Sequence, residues 1–278
     1  MTSSPRDIAQ KFVGARREGK ALPDYPGEIP ADLSASYRVQ EQAIALLGED
    51  IVGWKIGRVA PDWQERVREE RLAGPIFKPE LWQTKNAGDI VFQVYEGGFA
   101  AVEAEYVYRL GADAPAGKTD WSADEAAAIV AALHIGVECA GSPLATINDL
   151  GPKVVVSDFG NNHGLILGPE IPNWRTLKDQ DLRCETFIDG KKVGAGGAAS
   201  IPSGGPMGAL VWVLGHLAAR GRPLKAGQLV TTGAATGIHD IVAGQKARVD
   251  FDGFGEISCV AVKAIAAENR RTAAVEPG

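Results

Sequence analysis

At 278 residues, 45% hydrophobic and 23% charged, the chain is long enough to bury one large core, with or without a small appendage. A net charge of −6 with no basic block argues against nucleic acid or an anionic membrane surface as a partner. No apolar run approaches the roughly 18 residues that span a bilayer, and "MTSSPRDIAQKF" lacks the apolar stretch of a signal peptide.

The first 70 or so residues read as helical. "SPRDIAQKFVGARREG" offers Ser4 as N-cap, Pro5 at the first helical position and Gly19 as a stop. "SASYRVQEQAIALLGED" places Tyr37, Ala43, Ile44 and Leu47 near one stripe and ends at Gly48. The Pro-rich "LPDYPGEIP" between them is a loop, and "DWQERVREERL" predicts a third helix. From there the pattern turns to strands. "GDIVFQVYEGGFAAVEAEYVYRL" reads as a hairpin bending at Glu96-Gly97-Gly98. "SADEAAAIVAAL" is a helix with a capping box from Ser122 to Glu125, running into the strand "HIGVECAG". "DLRCETFIDGKKVGAG" is a hairpin turning at Asp189-Gly190, and "GGPMGALVWVLGHLAARG" is an amphipathic helix closed by Gly221. "AGQLVTTGAATG", "QKARVDFDG" and "GEISCVAVKAI" are strands, and the tail "ENRRTAAVEPG" is expected to be loose. The 34 glycines suit a turn-rich β fold. Cys139, Cys184 and Cys259 form no CxxC or zinc spacing and read as buried thiols of a reducing cytoplasm.

Chemistry enters at "FAAVEAEYVYRL", residues 99–110. With a period of two, Glu103 and Glu105 fall on one face of a strand, roughly 7 Å apart at Cβ. Two like charges held together either raise a pKa or recruit a cation, and hard divalent ions take carboxylate oxygens. A solvated strand face, with Arg109 on the same side, is the plainer alternative. Glu138 lies in "HIGVECAG" between apolar neighbours, where an unpaired acid is costly. Lys55 sits between Trp54 and Ile56 in "GWKIG", apolar company that predicts a depressed pKa; a lysine snorkelling at a strand edge is the alternative.

The order of motifs "GWKIG", "VEAEYVY", "HIGVECAGSP", "SDFGNNHGLILG" and "GQLVTTGAATG" resembles the fumarylacetoacetate hydrolase superfamily over about residues 50 to 265. The nearest likeness is to its 2-keto-4-pentenoate hydratase branch, which also holds 2-oxo-3-enoate decarboxylases. The resemblance implies an α+β fold, a mixed β-roll preceded by a helical N-terminal part. It implies a helical region over 1–75, a β-rich metal-binding catalytic core over 76–268 and a loose tail over 269–278. It implies a Mg²⁺ or Mn²⁺ held by Glu103, Glu105 and Glu138, with Lys55 moving protons near a small 2-oxo acid. Thr232 and Gly233, at the family's "TG" turn, are expected to hold the substrate carboxylate through a hydroxyl and backbone N–H groups, and His163 to reach the pocket. Members are usually oligomeric and cytoplasmic.

The reaction this implies is hydration of a 2-hydroxy-2,4-dienoate to a 4-hydroxy-2-oxo acid. One departure keeps alternatives open. Hydratases of this branch carry an acidic motif some twenty residues after the lysine, where this chain reads "LAGPIFKPEL", with Glu80 near but not aligned. A decarboxylase of a 2-oxo-3-enedioate, a sugar-acid dehydratase and an acylpyruvate hydrolase therefore remain. An arginine such as Arg58, next to the lysine motif, would suit a dicarboxylate. A non-catalytic protein on the same scaffold is disfavoured by the three glutamates.

Overall fold

The computed structural model describes residues 3–84 and 88–268; the expected loose tail lies outside these apart from Glu268. Helix α1 (Pro5–Glu18) starts at Ser4, whose side chain accepts from the Asp7 amide while Asp7 returns a bond to the cap, and it stops at Gly19 with φ 67°. Helix α2 (Leu33–Leu47) starts at Asp32 and stops at Gly48, φ 73°. The two helices bury Ile8, Phe12, Val13, Val39, Ala43 and Ile44 in the main core. Strand β1 (Ile51–Arg58) follows. Helix α3 (Pro61–Val67) closes at Arg68, left-handed at φ 56°, so the third helix is shorter than its charge pattern suggests. Arg71 already opens the fully buried strand β2 (Arg71–Phe77). The first 75 residues are thus not all helical: β1 and β2 pair with each other and form one edge of the large sheet.

The remaining elements in chain order are β3 (Leu81–Gln83), β4 (Ile90–Val94), β5 (Phe99–Leu110), α4 (Ala123–Ala128), β6 (Val130–Ser142), α5 (Pro152–Ser157), β7 (Asn162–Glu170), β8 (Arg183–Ile188), β9 (Lys191–Gly197), α6 (Gly205–Ala219), β10 (Leu229–Thr231), β11 (His239–Asp240), β12 (Lys246–Phe251) and β13 (Gly255–Lys263). They build two sheets. The larger has the order β2-β1-β10-β5-β6-β7-β3, with β11 on β5 as well; the smaller has the order β4-β13-β12-β8-β9. This is the expected mixed α+β roll. Helix α6 packs Ala209, Leu210, Val213, Leu214 and Leu217 into the core.

One expected pairing fails. β4 and β5 are not a hairpin, because β4 pairs in parallel with β13 in the small sheet while β5 joins β6 and β10 in the large one. The bend at Gly97-Gly98 moves the chain between sheets instead of folding it back. The Asp189-Gly190 hairpin does form, as β8 and β9. All three cysteines are free and buried.

The strand that positions the site is β5. Its even-numbered face sends Tyr106 and Tyr108 into the core, edge-on to Phe251 at 5.8 Å and to Trp174 at 5.6 Å. Its odd-numbered face carries the glutamates. In the antiparallel register Glu103 lies opposite Glu138 and Glu105 opposite Gly136. A cross-strand neighbour and an i,i+2 neighbour therefore meet on one side of the sheet.

Candidate active site

Glu103, Glu105 and Glu138 are all buried, and each offers an oxygen within 4.8 Å of the others. Burial raises all three carboxyl pKa values; repulsion from Glu138 adds to the effect at Glu103, pushed up to about 7, and at Glu105, while Lys55 and Asn162 oppose it at Glu138. Each has a different support. Glu105 Oε2 accepts from the backbone amides of Thr232 (2.9 Å) and Gly233 (2.7 Å). Glu138 Oε1 accepts from Asn162 Nδ2 (3.3 Å) and pairs with Lys55 Nζ at 3.1 Å. Glu105 Oε1 and Glu138 Oε2 are buried and, among the described residues, have no hydrogen-bond partner. Buried acceptors left in that state are costly. An all-carboxylate donor set with orphaned oxygens fits a hard divalent cation such as Mg²⁺ or Mn²⁺.

Lys55 reaches this cluster from β1 and is 4% exposed. Burial alone would lower its pKa, but Glu138 and then Glu103 outweigh it, so the ammonium titrates above its ordinary value. This reverses the sequence expectation. Trp54 and Ile56 flank Lys55 along the chain, but in a strand they point to the opposite face. The groups Lys55 meets on its own face are carboxylates.

The cluster opens onto a cavity of about 550 Å³, lined by Lys55, Glu103, Asn161, Thr232 and Gly233 among others. Thr232 and Gly233 were expected to receive the substrate carboxylate. Their amides are instead committed to Glu105, and the Thr232 hydroxyl donates to the Tyr106 carbonyl at 2.8 Å. They position a glutamate. Arg58 and Arg71 also line the cavity. Arg71 is tied through Nη2 to the carbonyls of Pro202 (2.7 Å) and Ser203 (2.9 Å), and Ser203 also donates to Glu70.

His163 does not line this cavity. It follows Asn162 on β7, and while Asn162 turns to Glu138, the His163 Nδ1 lies 3.2 Å from the Tyr95 hydroxyl and 3.5 Å from Arg16 Nη1, at a second cavity of about 920 Å³. Glu80 lines not the cavity lined by Lys55 and Glu103 but that second one. Beside it is a closed ion pair. Asp158, fully buried, accepts from Arg16 Nε (2.7 Å), Arg16 Nη2 (2.9 Å) and Ser142 Oγ (2.6 Å).

Between the two cavities the chain makes an uncommon turn. Phe159, Gly160 and Asn161 are consecutively left-handed, at φ 54°, 67° and 62°, a conformation that costs an L-residue about 1–2 kcal/mol. Asp158 anchors it from one side. From the other, the Phe159 carbonyl presses on Gly74, where a Cβ would come within 1.8 Å of that oxygen. Asn161 and Asn162 were not singled out from sequence; the available signal was "GNN", residues that tolerate left-handed backbone.

Comparison with known proteins places this geometry in a class. No protein-family model matches the chain. The TodF product hydratase of Pseudomonas putida is 28% identical over 271 residues, which cover 95% of this chain and 97% of that protein. The 4-oxalocrotonate decarboxylase from Pseudomonas putida G7, solved with magnesium and adipate, superimposes with a TM-score of 0.78 at 19% identity, over 93% of this chain and 97% of its own. The fumarylpyruvate hydrolase from Pseudomonas aeruginosa, solved with Mn²⁺ and pyruvate, gives 0.54 at 15% identity, over 76% and 89%. The fold is that of the fumarylacetoacetate hydrolase superfamily. The similarity runs to a hydratase in sequence and to a decarboxylase in fold.

Proposed function

We propose that the chain is a divalent-metal-dependent hydratase that converts a short 2-hydroxy-2,4-dienoate to a 4-hydroxy-2-oxo acid. The observation that carries the reading is the buried trio Glu103, Glu105 and Glu138 with Lys55 3.1 Å from Glu138. The similarity to a hydratase over nearly the full length of both chains supports it. Glu103, Glu105 and Glu138 would hold Mg²⁺ or Mn²⁺, which when bound supplies Lewis acidity and a template for the 2-oxo acid. The chain's own residues do the rest. Asn162 and Lys55 hold Glu138 in place, and the Thr232 and Gly233 amides hold Glu105. Lys55 is the proton carrier: its Nζ faces the cluster from the cavity wall and is shielded from water by burial.

A second reading has its own observation. Arg58 and Arg71 line the cavity, and two guanidinium groups suit a second carboxylate. That favours a 2-oxo-3-enedioate and decarboxylation. The test is to incubate the Mg²⁺-loaded protein with 2-hydroxypenta-2,4-dienoate and, in parallel, with a 2-oxo-3-enedioate. Consumption of the dienoate with formation of the hydroxy acid supports the hydratase. CO₂ release from the diacid with the dienoate untouched replaces it by the decarboxylase.

A further inference from the structure

The left-handed turn at Phe159–Asn161 is held from several sides. Asp158 is locked by Arg16 and Ser142, the Phe159 ring packs edge-on to Phe77 at 5.0 Å, and its carbonyl abuts Gly74. Backbone fixed so firmly in a sparsely populated conformation points to a side chain that must be aimed. The side chain it aims is Asn161. It is 5% exposed and lines the same cavity as Lys55 and Glu103. Its Nδ2 donates to Asn148 Oδ1 at 3.4 Å. Its Oδ1 is buried and, among the described residues, accepts no hydrogen bond.

An amide oxygen selects its ligand by chemistry. It is a neutral acceptor, so it repels a carboxylate or a ketone oxygen and seeks an O–H donor. The head of a 4-hydroxy-2-oxo acid, carboxylate and ketone, offers no donor at neutral pH. Its only O–H is the 4-hydroxyl, which hydration installs. We propose that Asn161 is a positioning residue whose Oδ1 accepts a hydrogen bond from the 4-hydroxyl of the bound hydroxy acid, and from the water that becomes it. The identity of this ligand rests on the hydratase reading; the presence of a hydroxyl-reading acceptor at this point of the wall does not.

The experiment measures binding as well as turnover. Calorimetry on the Mg²⁺-loaded protein compares 4-hydroxy-2-oxopentanoate with 2-oxopentanoate, which differ only in the hydroxyl. The wild type is expected to favour the hydroxylated acid roughly tenfold or more, since its absence leaves a buried acceptor unpaired. Asn161→Gly keeps the left-handed backbone without strain and should lose that preference while its affinity for 2-oxopentanoate and its Tm hold. Asn161→Asp retains an acceptor oxygen and should keep a preference. No preference in the wild type, or an undiminished one in Asn161→Gly, overturns the assignment. The two readings fail separately. A wild type that discriminates but leaves the dienoate unconverted sinks the hydratase and spares Asn161. Turnover with an unchanged preference in Asn161→Gly does the reverse.

Discussion

Asp158 and the glutamate trio are buried carboxylates in one interior, and they are satisfied in opposite ways. Asp158 has both oxygens engaged, by the guanidinium of Arg16 and the hydroxyl of Ser142. The trio sets three acids against one lysine and, among the described residues, leaves Glu105 Oε1 and Glu138 Oε2 without hydrogen-bond partners. Desolvating a charge costs several kcal/mol in either place. Where the compensation is complete, the group is a fastener, here joining α1 to the turn after α5. Where it is incomplete, the donor set suits a divalent cation. The difference shows that burial of charge alone does not mark a functional site; the unmet valence does.

The sharpest test of that contrast is kinetic. Lys55→Ala in the Mg²⁺-loaded protein should lower kcat by about 10²–10⁴-fold if the lysine transfers protons, and should also lower the urea midpoint of the metal-free protein, because Glu138 loses its buried partner. A raised KM with intact kcat would leave it a binding group only. On the fastener side, Arg16→Met strands Asp158 and should cost about 3–5 kcal/mol, a large part of a typical 5–15 kcal/mol stability, read as a fall in urea midpoint at constant slope. Replacing Asp158 by leucine as well should recover much of the loss; if Arg16→Met alone is silent, the pair fastens nothing. Metal addition comes next. Mg²⁺ at a hundred times its Kd should stabilise the protein by about 2.7 kcal/mol, and Glu105→Gln should abolish that gain while making the metal-free protein more stable, on the order of 1 kcal/mol. A Glu105→Gln protein that still gains stability from Mg²⁺ would separate the trio from the metal.

The smallest expected effect is in pH. Glu103 titrates near 7 because burial and Glu138 oppose its charge. A carboxyl whose pKa is raised on folding contributes stability that is present below its ordinary pKa and is lost as pH rises through the raised one. The metal-free protein should therefore lose a few degrees of Tm between about pH 5 and 8. Saturating Mg²⁺ should flatten that slope, because the cation favours the ionised acids. An unchanged slope with Mg²⁺ would mean that Glu103 does not meet the ion.

What was legible in the chain follows from range. Helix caps at Ser4, Asp32, Gly19 and Gly48 are local chemistry, though sequence placed the second helix start later, at Ser34. The parity of Glu103 and Glu105 is equally local, and the two-residue period put them on one face. Which strands pair is not local: Glu96-Gly97-Gly98 announced a turn, yet nothing near it told that β4 would leave for the other sheet. Lys55 was misjudged for the same reason, since its sequence neighbours are not its spatial ones. Thr232 and Gly233 lie beside the glutamate trio, but the carboxylate their amides hold is that of Glu105 and not the substrate's. His163 lay one residue from the side chain that turns to Glu138, and a shift of one in a strand changes the face. For Asn161 the only local signal was "GNN", because the position of its side chain depends on the contact between Phe159 and Gly74, far apart in sequence.

That contact also limits how this protein can be altered. Any side chain at position 74 would collide with a main-chain oxygen 1.8 Å away, and a carbonyl, unlike a flexible side chain, has nowhere to swing. A library built to broaden the range of acids accepted should leave position 74 alone and vary other lining residues, at Arg58, Ile201 and Ile238. None of these three belongs to the contact between Gly74 and Phe159, so the shape of the cavity can change without dislodging the turn that aims Asn161.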